Sequence, residues 1–276
     1  MLTAHKFTWT TVLIYLLLVL GALVVLYPFA YMLMNSFKFG PEILHSPTRL
    51  PTVLTLTGYI EVFKSLNILL LFKNSLILAI SITFLNTFLS AMAGYAIAKI
   101  AFPGRDQIFA FMLTTMMIPG VLFLIPTYVM MYRLGWVGHF YALIIPSAIS
   151  VYNIFLIRQF VVGIPNEQIE AARLDGANDL QIFASIIMPL SRPVLSTVAI
   201  LCFIGSWNDF LGPLLYLNNP ETWTVQLGLY QFGSSIPGEH VQEVWASMTL
   251  ITVPLVLIYF MLQDQFIKAF ANVSFK

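Results

Sequence analysis

Charge is what this 276-residue chain has least of: 13 Lys and Arg stand against 12 Asp and Glu, which leaves 9% of positions charged and a formal net charge of +1. There is no basic arm and no run of Lys or Arg, so nothing in the charge pattern points to nucleic acid as a partner. Cysteine is nearly absent as well. Cys202 stands alone in an apolar run, and a single thiol permits no internal disulfide. His5, His45, His139 and His240 are scattered without the spacing of a ligand set, which points away from a metal site. No Gly-Lys dipeptide occurs, so the chain cannot build a phosphate-binding P-loop of its own. Nor does a Ser/His, Cys/His or paired-Asp arrangement fall at matching depth in two apolar runs, which leaves an intramembrane enzyme without residues to use and the catalytic set empty.

What is present is apolar. Hydrophobic residues make up 59% of the chain and the mean hydropathy is +0.87. Several runs reach the roughly 20 residues needed to cross about 30 Å of hydrocarbon. The reading is an all-α integral membrane protein with six transmembrane helices, near residues 10–34, 75–98, 107–131, 140–160, 194–217 and 246–267. The first run is too long for a signal-peptide core and lacks a cleavage site, so it is read as a retained span. Organisation follows: residues 1–69 hold the first span and an external loop, 70–265 the transmembrane core, and 266–276 a tail.

Six spans place both termini on one side. With the termini in the cytoplasm, the inside carries Lys6, Lys99, Arg105, Arg158, Arg173, Arg192, Lys268 and Lys276, and the outside Lys38, Arg49, Lys64, Lys73 and Arg133. That bias of basic residues favours cytoplasmic termini. The Asn272-Val273-Ser274 sequon then falls inside, where glycosylation does not act. Long segments near 37–74 and 218–245 lie outside, rich enough in Pro, Gly and aromatics to suit a structured cap.

One stretch breaks the apolar pattern: residues 167–192, with acidic Glu167, Glu170, Asp175 and Asp179, inside the loop 165–193 between spans four and five. Pro165 can stop span four, and Asn166 is placed to cap a helix beginning at Glu167. Gly176 offers the freedom to end that helix and turn the chain. A second helix from Asp179 to Met188 carries Leu180, Phe183, Ala184 and Ile187 on one face, before Pro189 and Pro193 redirect the chain. Physics alone leaves two readings open: a compact knob of small residues for another protein to grip, or an amphipathic loop on the membrane surface.

The residues themselves separate these. Glu170 to Ala177 reads EAARLDGA, followed by Ile182-Phe183 and then by Ile186-Ile187-Met188-Pro189-Leu190. This closely resembles the EAA loop of permease subunits in bacterial ABC importers. Arg158-Gln159-Phe160 and Ile164-Pro165 before it, and Trp207-Asn208-Asp209-Phe210-Leu211 with Pro213-Leu214 after it, resemble the carbohydrate uptake subfamily. Phe102-Pro103-Gly104-Arg105 and Asn35-Ser36-Phe37-Lys38 fit as well. The likeness covers nearly the whole chain, best from about residue 70 to 262, and is greatest to MalG-like, binding-protein-dependent permeases of type I ABC importer fold. One departure is the C-terminus. Family members often carry a glycine-rich tail after a Gln-Arg pair, whereas this chain reads Gln263-Asp264-Gln265 and ends in Phe275-Lys276, which puts any tail contact with an ATPase in doubt.

The resemblance implies a permease subunit, not an enzyme, in the bacterial cell membrane. It moves a sugar, a di- or oligosaccharide by default, delivered by an extracytoplasmic solute-binding protein. Glycerol phosphate or a polyol is the alternative cargo, and a six-span channel the reading from another class. Implied partners are a homologous second permease in a heterodimer and two ATPase subunits, which bind ATP and Mg²⁺; membrane lipid surrounds the chain, and no cofactor belongs to it. The 170–176 helix would dock on the ATPase, with Glu170 in an ion pair or hydrogen bond, Ala171 and Ala172 packed closely, Asp175 at the helix end or on the partner, and Gly176 in the turn. Of the pathway, the residues say less. Asp209, beside Trp207 and Asn208, is an ionisable group inside an apparent span, which suggests a cavity or a buried partner, or a carboxylate that ties helices together. Trp207 and Phe210 can stack on sugar faces or serve as packing. Pro119, Pro126, Pro146, Pro213 and Pro254 can free carbonyls near a cavity or merely kink helices.

Overall fold

The computed structural model describes residues 9–233 and 238–273, and all regular structure in them is helical. In chain order the helices are α1 (Trp9–Ser36), α2 (Gly40–His45), α3 (Thr57–Ser65), α4 (Ile68–Lys99), α5 (Arg105–Thr115) and α6 (Leu124–Arg133), the last entered through a 3₁₀ turn at Gly120–Phe123. Then come α7 (Tyr141–Ile144), α8 (Val151–Val162), α9 (Asn166–Leu174), α10 (Asp179–Ile182), a π-helical turn at Phe183–Ile187, α11 (Met188–Leu190) and α12 (Arg192–Trp207). The chain closes with α13 (Leu211–Tyr216), a 3₁₀ turn at Pro220–Thr222, α14 (Val225–Gly233) and α15 (Val241–Val273). His5, Lys6, Ser274 and Lys276, and with them the ends of the expected charge count, sequon and tail, lie outside the described residues.

Among the described residues two helices, α1 and α4, are by themselves long and apolar enough to cross a bilayer. The expected continuous helix over 107–131 is instead two helices bent by 91° at a break around Met116–Pro119. The one expected over 140–160 is a short α7, a turn holding Pro146, and α8. The one expected over 194–217 stops at Trp207 and resumes at Leu211. The cause is local in each case. Pro119 precedes the 3₁₀ turn, while Pro126 and Pro213 sit in the first turn of their helices, where no amide donor is required. Among the described residues, only Pro28 and Pro254 lie inside long helices.

Packing divides the chain into two compact units. The first comprises Met1–Asn67 and Leu229–Pro254, so residues 229–254 pack with the N-terminal part where a boundary at 69 had left them with the core. Over its apolar length α1 is exposed, Leu13 to Leu26, and becomes buried only at Asn35 and Ser36. Lys38, fully buried, donates from Nζ to the carbonyls of Pro47 at 2.8 Å and Ser46 at 3.1 Å and so holds α2 and the following turn to the end of α1. Burial pushes its ammonium below the ordinary lysine range, with the Glu42 carboxylate acting against that shift.

The second unit, Ile68–Gly228 with Leu255–Lys276, is built around α4, against which both α8 and α12 pack along much of their length. Apolar clusters hold it together. One joins Ala91 and Tyr95 of α4 to Ile157 and Val161 of α8, Ile169 of α9, Ile182, Phe183 and Ile187 of the following segment, and Leu195 and Val198 of α12. Another gathers Leu78, Met131, Leu143, Tyr216 and Leu227.

Candidate functional site

The polar loop is a rigid corner made by its own sequence. α9 begins directly after Pro165, with Glu167 in its first turn, where a carboxylate meets the positive end of the helix. Asn166 is not the capping side chain expected of it; its Oδ1 accepts from Lys99 Nζ at 2.7 Å. Helix α9 ends in a Schellman arrangement: the amide of Gly176 donates to Arg173 O and that of Ala177 to Ala172 O, both at 3.0 Å. Gly176 sits at φ +85°, a conformation that a side chain strains, which is why a glycine stands there. Two residues on, Asn178 starts α10 with a capping box: Asn178 Oδ1 accepts from the Gln181 amide at 2.9 Å and Gln181 Oε1 from the Asn178 amide at 2.8 Å. Sequence reasoning passed over this cap, although the Asn-x-x-Gln spacing of Asn178 and Gln181 carries it.

Arg173 Nη2 then donates to Asp179 Oδ1 at 2.9 Å across the turn between the two helices. The same bond holds the Arg173 guanidinium above its ordinary value. The buried face of the second segment differs from the one expected. Ile182, Phe183 and Ile187 are buried while Leu180 and Ala184 are exposed, because the π turn inserts one residue per turn and brings 182 and 187 onto one side.

This corner turns two kinds of residue outwards. Ile169 is buried and Ala172 half-buried against the cluster beneath, so Ala172 packs within the chain. Glu170, Ala171, Asp175 and Gly176 are exposed, and Glu170 has no side-chain partner among the described residues. Leu174 is 90% exposed and Leu180 65% exposed, either side of the turn. Two exposed leucines beside a carboxylate with no partner among the described residues form a surface suited to contact with something else.

The second candidate region is the break after α12. Trp207 is 1% exposed, packed between the rings of Phe72 and Phe203 at 5.8 and 6.0 Å, so its indole is a packing group of this unit. Asn208 Oδ1 accepts from Gln226 Nε2 at 3.4 Å. Asp209 Oδ1 accepts the amide of Gly212 at 3.1 Å and so caps the start of α13. The carboxylate also borders a cleft of about 570 Å³ between α4, α8 and α12. Its wall carries Asn86, Ser150, Tyr152, Asn153, Cys202, Ser206 and Asp209, with no Lys or Arg among the lining residues. Asn153 Nδ2 donates to Asn86 Oδ1 at 2.7 Å and to Cys202 Sγ at 3.1 Å, while Asn86 Nδ2 donates to the carbonyl of Ser147 at 2.8 Å. Neither asparagine was singled out by the sequence, because one asparagine in each apolar run carries no pattern until the helices meet.

Residues 86–272 match the family model described as binding-protein-dependent transport system inner membrane component. The chain belongs to this family. Among its curated relatives is an arabinooligosaccharides transport system permease protein of Halalkalibacterium halodurans, 32% identical, covering 89% of each chain. A diacetylchitobiose uptake system permease protein of Streptomyces coelicolor is 30% identical over 94% of this chain and 87% of its own. An inner membrane ABC transporter permease protein of Escherichia coli is 31% identical over 97% of both. Among solved structures, a chain of a bacterial ABC transporter involved in the import of the acidic polysaccharide alginate superposes with a TM-score of 0.83 at 24% identity, over 95% of this chain and 99% of that one. The helical fold is therefore shared with a chain of that transporter. As a member of the family the chain is a multi-pass inner membrane permease of a binding-protein-dependent transporter, and not itself an enzyme.

Proposed function

We propose that the chain is one of two homologous permeases in an ATP-driven importer and carries an uncharged oligosaccharide inward. The polypeptide crosses the bilayer six times with both termini in the cytoplasm, the spans being α1, α4, α5 with α6, α7 with α8, α12 with α13, and α15. The 165–193 corner is the coupling loop, docked in a groove of an ATPase subunit that binds ATP and Mg²⁺; two such subunits serve the complex, and an extracytoplasmic binding protein delivers the cargo. Glu170 meets a basic group of the ATPase, Ala171 allows close approach, Asp175 lies at the edge of the contact, and Gly176 sets the turn. Leu174 and Leu180 supply its apolar part. Closing of the ATPase dimer then displaces the corner as a rigid body.

The observation that carries the cargo reading is the cleft: amides, hydroxyls and one carboxylate face it, with no basic side chain. Amides and hydroxyls hydrogen-bond sugar hydroxyls in either direction, whereas a phosphate or uronate would meet Asp209 with no cation to balance it. Permeases about 30% identical to this chain bear names for arabinooligosaccharides, diacetylchitobiose and polygalacturonan/rhamnogalacturonan, so those names do not separate neutral from acidic sugars and the cleft carries the reading alone. The test is uptake into vesicles holding the complete complex, its binding protein outside and ATP inside. Neutral arabino-oligosaccharides, diacetylchitobiose and lactose are compared with oligogalacturonides and glycerol phosphate. Accumulation of a neutral member is expected; transport of an anionic member with none of the neutral ones would overturn the reading.

A further inference from the structure

The coupling loop is fastened to α4 at two places that the family motif does not contain. Lys99, the last residue of α4, directs its three ammonium hydrogens at three acceptors: Ile164 O at 2.6 Å, Asn166 Oδ1 at 2.7 Å and Val162 O at 3.4 Å. Val162 is the last residue of α8, and Asn166 the first of α9. Carbonyls at a helix C-terminus lack partners within the helix and favour a cation, and here an ammonium carried on the last residue of α4 serves the end of α8. The result is a single point where two apolar helices and the loop helix are joined.

One turn earlier, Tyr95 of α4 is buried with its hydroxyl donating to Asp179 Oδ1 at 3.4 Å, the same oxygen that Arg173 engages. Asp179 thus gathers α9, α10 and α4. Its pair with Arg173 is exposed and weak alone, but the Tyr95 ring lies against Phe183 at 5.8 Å, and Phe183 against Phe88 at 6.1 Å. α8 follows α4 closely: a β-carbon at Gly94 would stand 3.0 Å from Ile157 and 3.2 Å from the Arg158 amide, so the two helices already touch.

We propose that Lys99 and Tyr95 are positioning residues that bind the coupling loop to α4 and α8, so that displacement of the loop by the ATPase reaches both helices without a hinge between. This rests on the coupling function assigned to the loop above. Lys99 is the main pin and Tyr95 the secondary one.

The test is a pair of spin labels in the complex purified from native membranes, on a Cys202→Ser background, which keeps a hydrogen-bonding group beside Asn153. One label replaces exposed Phe84 on α4 and the other exposed Gln168 on α9. Distances are measured without nucleotide and after trapping with ATP, Mg²⁺ and vanadate. With native Lys99 and Tyr95, one narrow distribution is expected that does not change on trapping. Lys99→Ala is expected to match it without nucleotide and to shift or broaden on trapping, because the loop then moves while α4 lags. Lys99→Arg, which keeps cation and donors, restores the unchanged distribution. Tyr95→Phe, which loses one hydroxyl, gives a smaller shift and carries the test if Lys99→Ala fails to reach the membrane. A role in folding alone would give no dependence on nucleotide. A shift on trapping in the native-pin complex, or none in Lys99→Ala and Tyr95→Phe, overturns the proposal. An ATPase missing from the native complex is a separate failure, that of the coupling reading, and is seen before any distance is measured.

Discussion

Two stretches of the second unit break its apolar sequence with polar side chains, and they use them in opposite directions. In residues 165–193 the groups that hold the shape are spent internally: Gly176 in its left-handed turn, Asn178 with Gln181, Arg173 with Asp179. What remains, Glu170 with Leu174 and Leu180, points away from the chain. At 207–212 Trp207 is packed between two rings and Asp209 caps a helix start, so that stretch is satisfied within the molecule. A polar interruption of a membrane chain is therefore not in itself a contact site. The exposed carboxylate and the leucines beside it separate an outward-facing surface from an internal brace.

If this contrast holds, substitutions in the two stretches differ in kind. The largest effect is expected from Gly176→Pro. Proline holds φ near −65°, which cannot reach the +85° of this turn, so the corner is lost while the apolar helices remain. Uptake should fall to background with the amount of chain in the membrane unchanged, and normal uptake would show that the corner has no part in coupling. Gly176→Asn, which tolerates the left-handed region better, should keep a measurable share of uptake.

A smaller effect is expected inside the cleft. Asn153→Leu removes the donor to Asn86 and Cys202 and should cost about 1–3 kcal/mol, read as a lower midpoint of thermal unfolding in detergent, with ATPase retention unaltered. Loss of the ATPase from this variant would mean that the internal brace also serves docking. Smallest is Asp209→Ala, which deletes the cap on the Gly212 amide and should cost about 1 kcal/mol, whereas Asp209→Asn retains an acceptor and should cost less. If Asp209→Asn instead abolished uptake at unchanged stability, the charge itself would be needed at the cleft, and the contrast between the two stretches would fail.

Where the chemistry is local, the sequence was legible. Residues 10–34 anticipated α1, and Gly176 with the Glu-Ala-Ala string anticipated the corner. Prolines marked the expected spans at 107–131, 140–160 and 194–217 as places for kinks, but not that the helices stop and change direction there, because hydropathy measures apolar length and is blind to direction. A proline in a first turn looks like one in mid-helix until the turn is known. The π turn shifted the expected face from Leu180 and Ala184 to Ile182, since helical spacing assumes an unbroken α-helix. Asn86, Asn153, Tyr95 and Lys99 act through residues distant in the chain, and single polar residues have no period to betray them.

The central claim is that the 165–193 corner holds an ATPase through Glu170. Purification of the tagged chain from native membranes, native against Glu170→Lys, tests it most directly. A charge-assisted contact of about 1.5–3 kcal/mol corresponds to roughly ten- to hundredfold weaker association when it is lost. The account predicts that a P-loop ATPase and a second permease accompany the native chain and that the ATPase is depleted from the variant; equal recovery of the ATPase with both chains, or a native chain that purifies alone, would contradict it.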